Sequence, residues 1–167
     1  MKVNEFLDII TPMQRKLFRF ALRLVDNVSE AEDVVQDVFL KLWKDPAQLR
    51  KCRNAEAWCM TMVRNRSLDR LRTEVKRKHI DIVEAWNLSH PGPTPHQSAE
   101  QNETMARVKG IIADLPDQQR EVLHLRDVEG YAYEEIADMT GMNLGQVKVN
   151  IHRARRKVRE QMENLPE

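Results

Sequence analysis

The sequence predicts an all-α protein made of two small helical domains joined by a flexible linker. Three observations lead there. Apolar residues recur every three or four positions through most of the chain. Glycine occurs only five times in 167 residues, among long stretches of Glu, Lys, Arg, Leu and Ala that favour helix. One segment breaks the pattern: His90-Pro91-Gly92-Pro93-Thr94-Pro95-His96 holds three prolines and a glycine in seven residues, the composition of a linker.

The elements follow in order. The first amphipathic stretch runs from about Val3 to Val25, with Leu17, Ala21, Leu24 and Val25 on its apolar side and Arg15, Arg19 and Arg23 interleaved. Asp26-Asn27-Val28 ends it. Ser29-Glu30-Ala31-Glu32 then fits a capping box that opens a second helix. That helix carries a wide stripe of Val34, Val35, Val38, Phe39, Leu42 and Trp43, with Asp33, Gln36, Asp37 and Lys41 opposite. It stops at Asp45-Pro46, because the residue before proline is pushed out of helical geometry. A third helix spans about Asn54 to Lys78, with Trp58, Met62, Leu68, Leu71 and Val75 as its expected buried side. Asn65, Asp69 and Arg72 share another face.

These elements set the first domain at residues 1–81, the linker at 82–100 and the second domain at 101–167. The second domain opens with a short helix ending at Leu115-Pro116, and Pro116 suits the first turn of a helix running to Asp127. Gly130 separates that helix from two more, Tyr133 to Met139 and Leu144 to about Met162.

The last pair matches a helix-turn-helix. Counting from Tyr133, the fifth residue is Ala137, small where two helices approach. The ninth is Gly141, in a turn that asks for positive φ, and the fifteenth is Val147, which packs into the crossing. Asn143 and Gln146 fit a reciprocal cap for the second helix. That helix presents Gln146, Lys148, Val149, Asn150, His152, Arg153, Arg155, Arg156 and Lys157, a set suited to a major groove. A solvated basic face is the competing reading of the same residues.

Charge is segregated although the whole chain carries only +1. Residues 1–49 sum to −1, residues 50–79 to +7, residues 80–141 to −8 and residues 142–167 to +3. Two basic segments attract phosphate, and the acidic remainder weakens binding to naked DNA and leaves surface for a protein partner. Apolar residues at 41% exclude a disordered chain. No apolar run is long enough to span a membrane, so a cytoplasmic protein is expected. Cys52 and Cys59 give no disulfide framework; reduced thiols are the plain reading, with redox sensing or a shared metal the alternatives. The five histidines lack metal-site spacing, and no cofactor is expected. There is no phosphate loop or nucleophile elbow, so an enzyme is not expected.

Ala31-Glu-Asp-Val-Val-Gln-Asp-Val-Phe-Leu-Lys-Leu-Trp43 resembles the most recognisable segment of bacterial sigma factors. Asn54–Arg72, with Trp58, Asn65 and Asp69, resembles the segment that captures the melted minus-ten strand. Leu115-Pro116 through Arg159 resembles the domain that reads the minus-thirty-five element. Two domains and a short linker resemble the extracytoplasmic-function (ECF) group. The resemblance implies that the chain binds RNA polymerase core at the beta-prime clamp helices and the beta flap and directs promoter-specific initiation. It also implies an anti-sigma partner.

By the same resemblance, Asp33, Gln36, Asp37, Phe39 and Leu40 meet the polymerase clamp. Asn65 and Asp69 line a pocket for a base flipped from the nontemplate strand. Arg64, Arg66, Arg70, Arg72, Lys76 and Arg77 track its phosphates. Gln146, Lys148, Val149, Asn150 and Arg153 fall at reading positions, while His152, Arg155, Arg156 and Lys157 are mainly positional. Trp58 and Trp43 are expected in the core rather than as stacking platforms, and Trp86 has no assigned place. Ala132 departs from the Ser or Thr usual in the family, costing a helix cap of about 1 kcal/mol. Gln146 and Asn150 also depart, so promoter sequence does not transfer from relatives. The competing reading is a dimeric helix-turn-helix repressor or response-regulator output domain.

Overall fold

The computed structural model describes residues 2–78 and 99–164, and side chains within 2–74 and 103–164. Residues 79–98, which hold most of the linker expected at 82–100 and include Trp86, His79, His90 and His96, and the side chains of Val75, Lys76 and Arg77 lie outside that set. All regular structure among the described residues is helical: α1 (Val3–Val25), α2 (Val28–Lys44), α3 (Pro46–Lys51), α4 (Ala55–Lys78), α5 (Ala99–Ala113), α6 (Asp117–Leu123), α7 (Tyr133–Thr140) and α8 (Leu144–Glu163). A π-helical turn, His124–Val128, continues α6. The all-α expectation is met.

In the first domain α1, α2 and α4 pack against one another. α1 ends where Asp26 adopts the left-handed conformation (φ 51°) and its N–H bonds Leu22 O. α2 begins earlier than expected: Asn27, not Ser29, is the cap, its side chain accepting from the Glu30 N–H at 2.9 Å. Pro46 ends α2 as expected but also starts the six-residue α3, because proline suits a first helical turn. Asn54 caps α4 by accepting from the Ala57 N–H at 3.0 Å.

The buried face of α4 is Cys59, Met60, Val63 and Ser67. Trp58, Met62, Leu68 and Leu71, expected inside, are half-buried at its margins. The periodicity of large apolar residues misplaced the face because two small residues, Cys59 and Ser67, fill its tightest positions. Cys52 is the extended C-cap residue of α3 while Cys59 lies within α4, and both are free. Burial pushes the Cys59 thiol up to about 12, which leaves it protonated and inert.

The second domain packs α6, α7 and α5 against α8. It does not stand apart from the first. α7 lies on α4, and α1 touches α6 and the π-turn. One continuous core runs from Leu17, Phe20 and Val63 into Val122, Leu125, Tyr131, Ile136 and Ile151. Phe20 is fully buried and stacks on His124 with ring centroids 5.8 Å apart. Truncating it to Ala would cost about 3–5 kcal/mol and loosen the contact between domains as well as α1 itself.

Candidate nucleic-acid interface

The helix-turn-helix is built as its residue types require. Gly141 takes φ +74°, and nothing lies within 4 Å of where its Cβ would be, so backbone conformation rather than space selects glycine there. Val147 is fully buried at the crossing, and Ala137 packs partly buried against the core. Asn143 accepts from the Gln146 N–H at 2.8 Å, and Gln146 accepts from the Asn143 N–H at 3.0 Å. Ala132 supplies no side-chain cap to α7, yet Glu135 still reaches back to its N–H at 2.9 Å.

The candidate reading residues of α8 divide by what already holds them. Gln146 is spent on the cap, and Asn150 donates to Gln146 O at 2.9 Å. Arg155 pairs with Asp127, with Nε–Oδ2 at 3.0 Å, and Lys157 donates to Asp114 O at 3.4 Å. Arg156 lies 3.5 Å from Glu160, both largely exposed. Val149, His152 and Arg153 are exposed, and Lys148 lies over the Tyr133 ring. Arg126 stacks on the same ring at 4.6 Å, a contact that the sequence did not suggest because the π-turn sets it.

On the first domain, Asp37, Val38, Lys41, Met62, Asn65, Arg66 and Asp69 line an open cleft of about 420 Å³ between α2 and α4. Asn65 and Asp69 are exposed one turn apart, as expected, and Arg72 lies 3.7 Å from Asp69. An amide, a carboxylate and a guanidinium at one cleft can pair with the edge of an unstacked base.

The five residues expected at the polymerase do not form one patch. Gln36, Phe39 and Leu40 line an apolar cleft with Phe6 and Trp43. Trp43, expected in the core, is 42% exposed and meets Phe6 edge-on at 5.1 Å, because it falls at the margin of the α2 stripe. Asp33 and Asp37 instead face α4. Asp37 accepts from Arg66 at 2.8 Å and from Arg70 at 3.1 Å, and Arg70 also reaches Glu30 at 2.7 Å and Asp33 at 3.3 Å. Burial alone would raise the Asp37 carboxyl, but these two arginines hold it below its usual range.

Arg64, expected to track strand phosphates, is engaged by the second domain. Its guanidinium pairs with Glu121 of α6, the two side chains being 17% and 4% exposed. Nearby, Arg19 bonds Glu129 at 2.9 Å, and Tyr131 donates to Glu56, which also takes Lys16 at 2.9 Å. Among the described residues no group of three or more His, Cys, Asp or Glu side chains is placed to hold a metal, and no helix is long and apolar enough to cross a membrane.

A capped helix-turn-helix in one domain and an open cleft holding Asn65, Arg66 and Asp69 in the other point to the class of DNA-binding transcription proteins. The comparisons give the particular kind. Sigma-70 region 2 matches residues 9–77, and Sigma-70, region 4 matches residues 106–158. The chain is 32% identical over 154 residues to the ECF RNA polymerase sigma factor SigL of Mycobacterium tuberculosis, covering 89% of this chain and 84% of the relative. It is 26% identical to the ECF sigma factor SigW of Bacillus subtilis, covering 97% and 91%. The sigma factor RpoE of Bartonella quintana, solved in complex with the anti-sigma factor NepR, superposes with a TM-score of 0.75 at 26% identity, covering 98% of this chain and all of that one. CnrH, solved with the cytosolic domain of CnrY, shares the fold at a TM-score of 0.66 and 23% identity, covering 97% and 90%. This chain belongs to the ECF RNA polymerase sigma factors, and it serves transcription initiation.

Proposed function

We propose that the chain recruits RNA polymerase core, in the cytoplasm, to promoters whose two elements its two domains read separately. Residues 1–81 bind the clamp and the minus-ten element, 82–100 link, and 101–167 read the minus-thirty-five element and meet the beta flap. The observation that carries this reading is the open cleft in which Asn65, Arg66 and Asp69 stand together. It offers hydrogen-bonding groups to one flipped base and positive charge to the strand beside it. The apolar cleft of Gln36, Phe39, Leu40 and Trp43 supplies the main clamp contact, and Asp33 and Asp37 extend it. Lys148, Val149, His152 and Arg153 form the part of α8 freest to enter a major groove.

Two weak DNA contacts fixed at a set distance by the polymerase reinforce each other through effective concentration. Docking of the second domain on α4 opposes this, since Arg64 is engaged by Glu121. An anti-sigma partner that clasps the docked pair would keep the factor silent. This reading is supported by RpoE having been solved in complex with an anti-sigma factor.

In vitro transcription with polymerase core, with and without the chain, tests the proposal. Promoter-specific initiation should appear only with the chain and fall in Asn65→Ala. Initiation that is indifferent to Asn65, or that needs no core, would refute it.

A further inference from the structure

Glu30 is outside every surface assigned so far, yet it makes the shortest contact to Arg70. The Arg70 guanidinium lies 2.7 Å from Glu30, 3.1 Å from Asp37 and 3.3 Å from Asp33. Arg66 shares Asp37 at 2.7 Å. Three carboxylates thus face two guanidiniums, a local net charge of −1 on the rim of the cleft. The same groups continue into a second groove of about 320 Å³ lined by Glu30, Arg66, Asp69, Arg70, Thr73 and Glu74. A phosphate approaching Arg70 must displace a carboxylate that is already bonded to it.

The side-chain exposures make the contact consequential. Arg70 is 23% exposed and Glu30 32%, so neither is a freely solvated surface ion. Ion pairs at full exposure are worth little, whereas charge-assisted bonds with part of their water removed are stronger. The Glu30 hydrogen bond is also the first cause of the raised Arg70 pKa.

We propose that Glu30 is a positioning residue that withholds Arg70 from nucleic-acid phosphates in the free protein, setting a ceiling on polymerase-independent DNA binding. This rests on the reading of Arg70 as a strand contact. Asp33 and Asp37 belong to the surface assigned to polymerase, so their hold on Arg70 competes with that partner. Glu30 does not, and its effect can be isolated. Its position in the first turn of α2, bonded through its N–H to Asn27, gives it a second role at the positive end of the helix. That role bears on stability and not on DNA.

The experiment uses the full chain without polymerase and a fluorescent oligo-dT single strand, with affinity measured across a salt series. Glu30→Gln should bind about threefold to tenfold tighter than the parent. Its log–log salt slope should steepen by about 0.7, the value for one added phosphate contact on a single strand. In an Arg70→Gln background the same substitution should change neither quantity. A helix-terminus effect alone would shift the melting temperature equally in both backgrounds and leave the slope unmoved, and that result overturns the proposal. A parallel measurement separates the two levels. If Arg70→Gln weakens promoter binding by holoenzyme while Glu30→Gln leaves the free chain unchanged, the restraint by Glu30 is wrong and the strand contact stands. If Arg70→Gln does not weaken holoenzyme binding, the strand contact itself has failed.

Discussion

Arg64 on α4 reaches both oxygens of Glu121 on α6, the longer contact being 3.4 Å from Nη2 to Oε2, and the pair ties the two domains together. Glu121 is 4% exposed in its side chain, and burial raises its carboxyl above the usual range even with a guanidinium against it. Removing one member of such a pair strands the other, which costs about 3 kcal/mol. Arg64→Ala should therefore lower the stability of the docked form more than Glu121→Gln, which keeps a neutral group of the same size. Thermal unfolding measures the difference, and a distance label on each domain reports opening. Equal, small effects from both substitutions would mean that the pair does not hold the domains.

His124 predicts an acid-sensitive contact. Burial, followed by the charges of Arg23 and Arg19, depresses it to about 4 against Glu129, which favours the charged form. Because the folded value lies below the ordinary 6.5, the unfolded or undocked state takes up the proton first. Stability should be full above about pH 6.5 and fall progressively towards pH 4, by on the order of 3 kcal/mol in all. The environment of Phe20 should report this directly, since protonation places a charge in the buried core beside its ring. His124→Gln should flatten the profile over that window. A parent curve already flat between pH 4 and 6.5 would refute the linkage.

How much of this was legible in the residues depended on range. The α7–α8 unit is local: Ala137, Gly141, Val147 and the Asn143–Gln146 cap lie within fifteen residues, and each was readable. So were the limits of α1, and Asn65 and Asp69 as neighbours on an exposed face. What failed to show were contacts across the sequence. Arg70 meets Glu30 forty positions away, and Arg64 meets Glu121 at fifty-seven. No periodicity encodes these partners. The buried face of α4 was missed for another reason: Cys59 and Ser67 carry little apolar signal, yet their small volume is what lets α4 approach its neighbours.

Ala132 offers a stabilising change. It holds the N-cap position of α7 in extended geometry (φ −67°, ψ 155°) with no side-chain cap, while Glu135 already returns to its N–H. Ser at that position would complete the reciprocal pair. Ala132→Ser should gain about 0.5–1 kcal/mol, read as a higher melting temperature. DNA affinity should stay where it was, because the substitution completes a cap rather than altering α8. A drop in melting temperature would show that the backbone there is held by something other than the cap.

Trp43 separates folding from partner binding. Its ring is 42% exposed and rests edge-on against Phe6, in the cleft shared with Gln36, Phe39 and Leu40. Leu40, one of its lining residues on α2, is 58% exposed. Exposed aromatic and aliphatic groups gathered at one cleft contribute little to the fold, but at an interface an aromatic anchor commonly carries 2 kcal/mol or more, about thirtyfold in affinity. Trp43→Ala should therefore leave the melting temperature within a few degrees of the parent and weaken binding to polymerase core by roughly ten- to thirtyfold, measured by competition against a labelled sigma factor. Asp37→Arg is a poorer probe of the same surface, because it also removes the acceptor shared by Arg66 and Arg70. If Trp43→Ala unfolds the chain instead, the ring is part of the core after all. If it changes neither stability nor core affinity, the clamp contact lies elsewhere on α2.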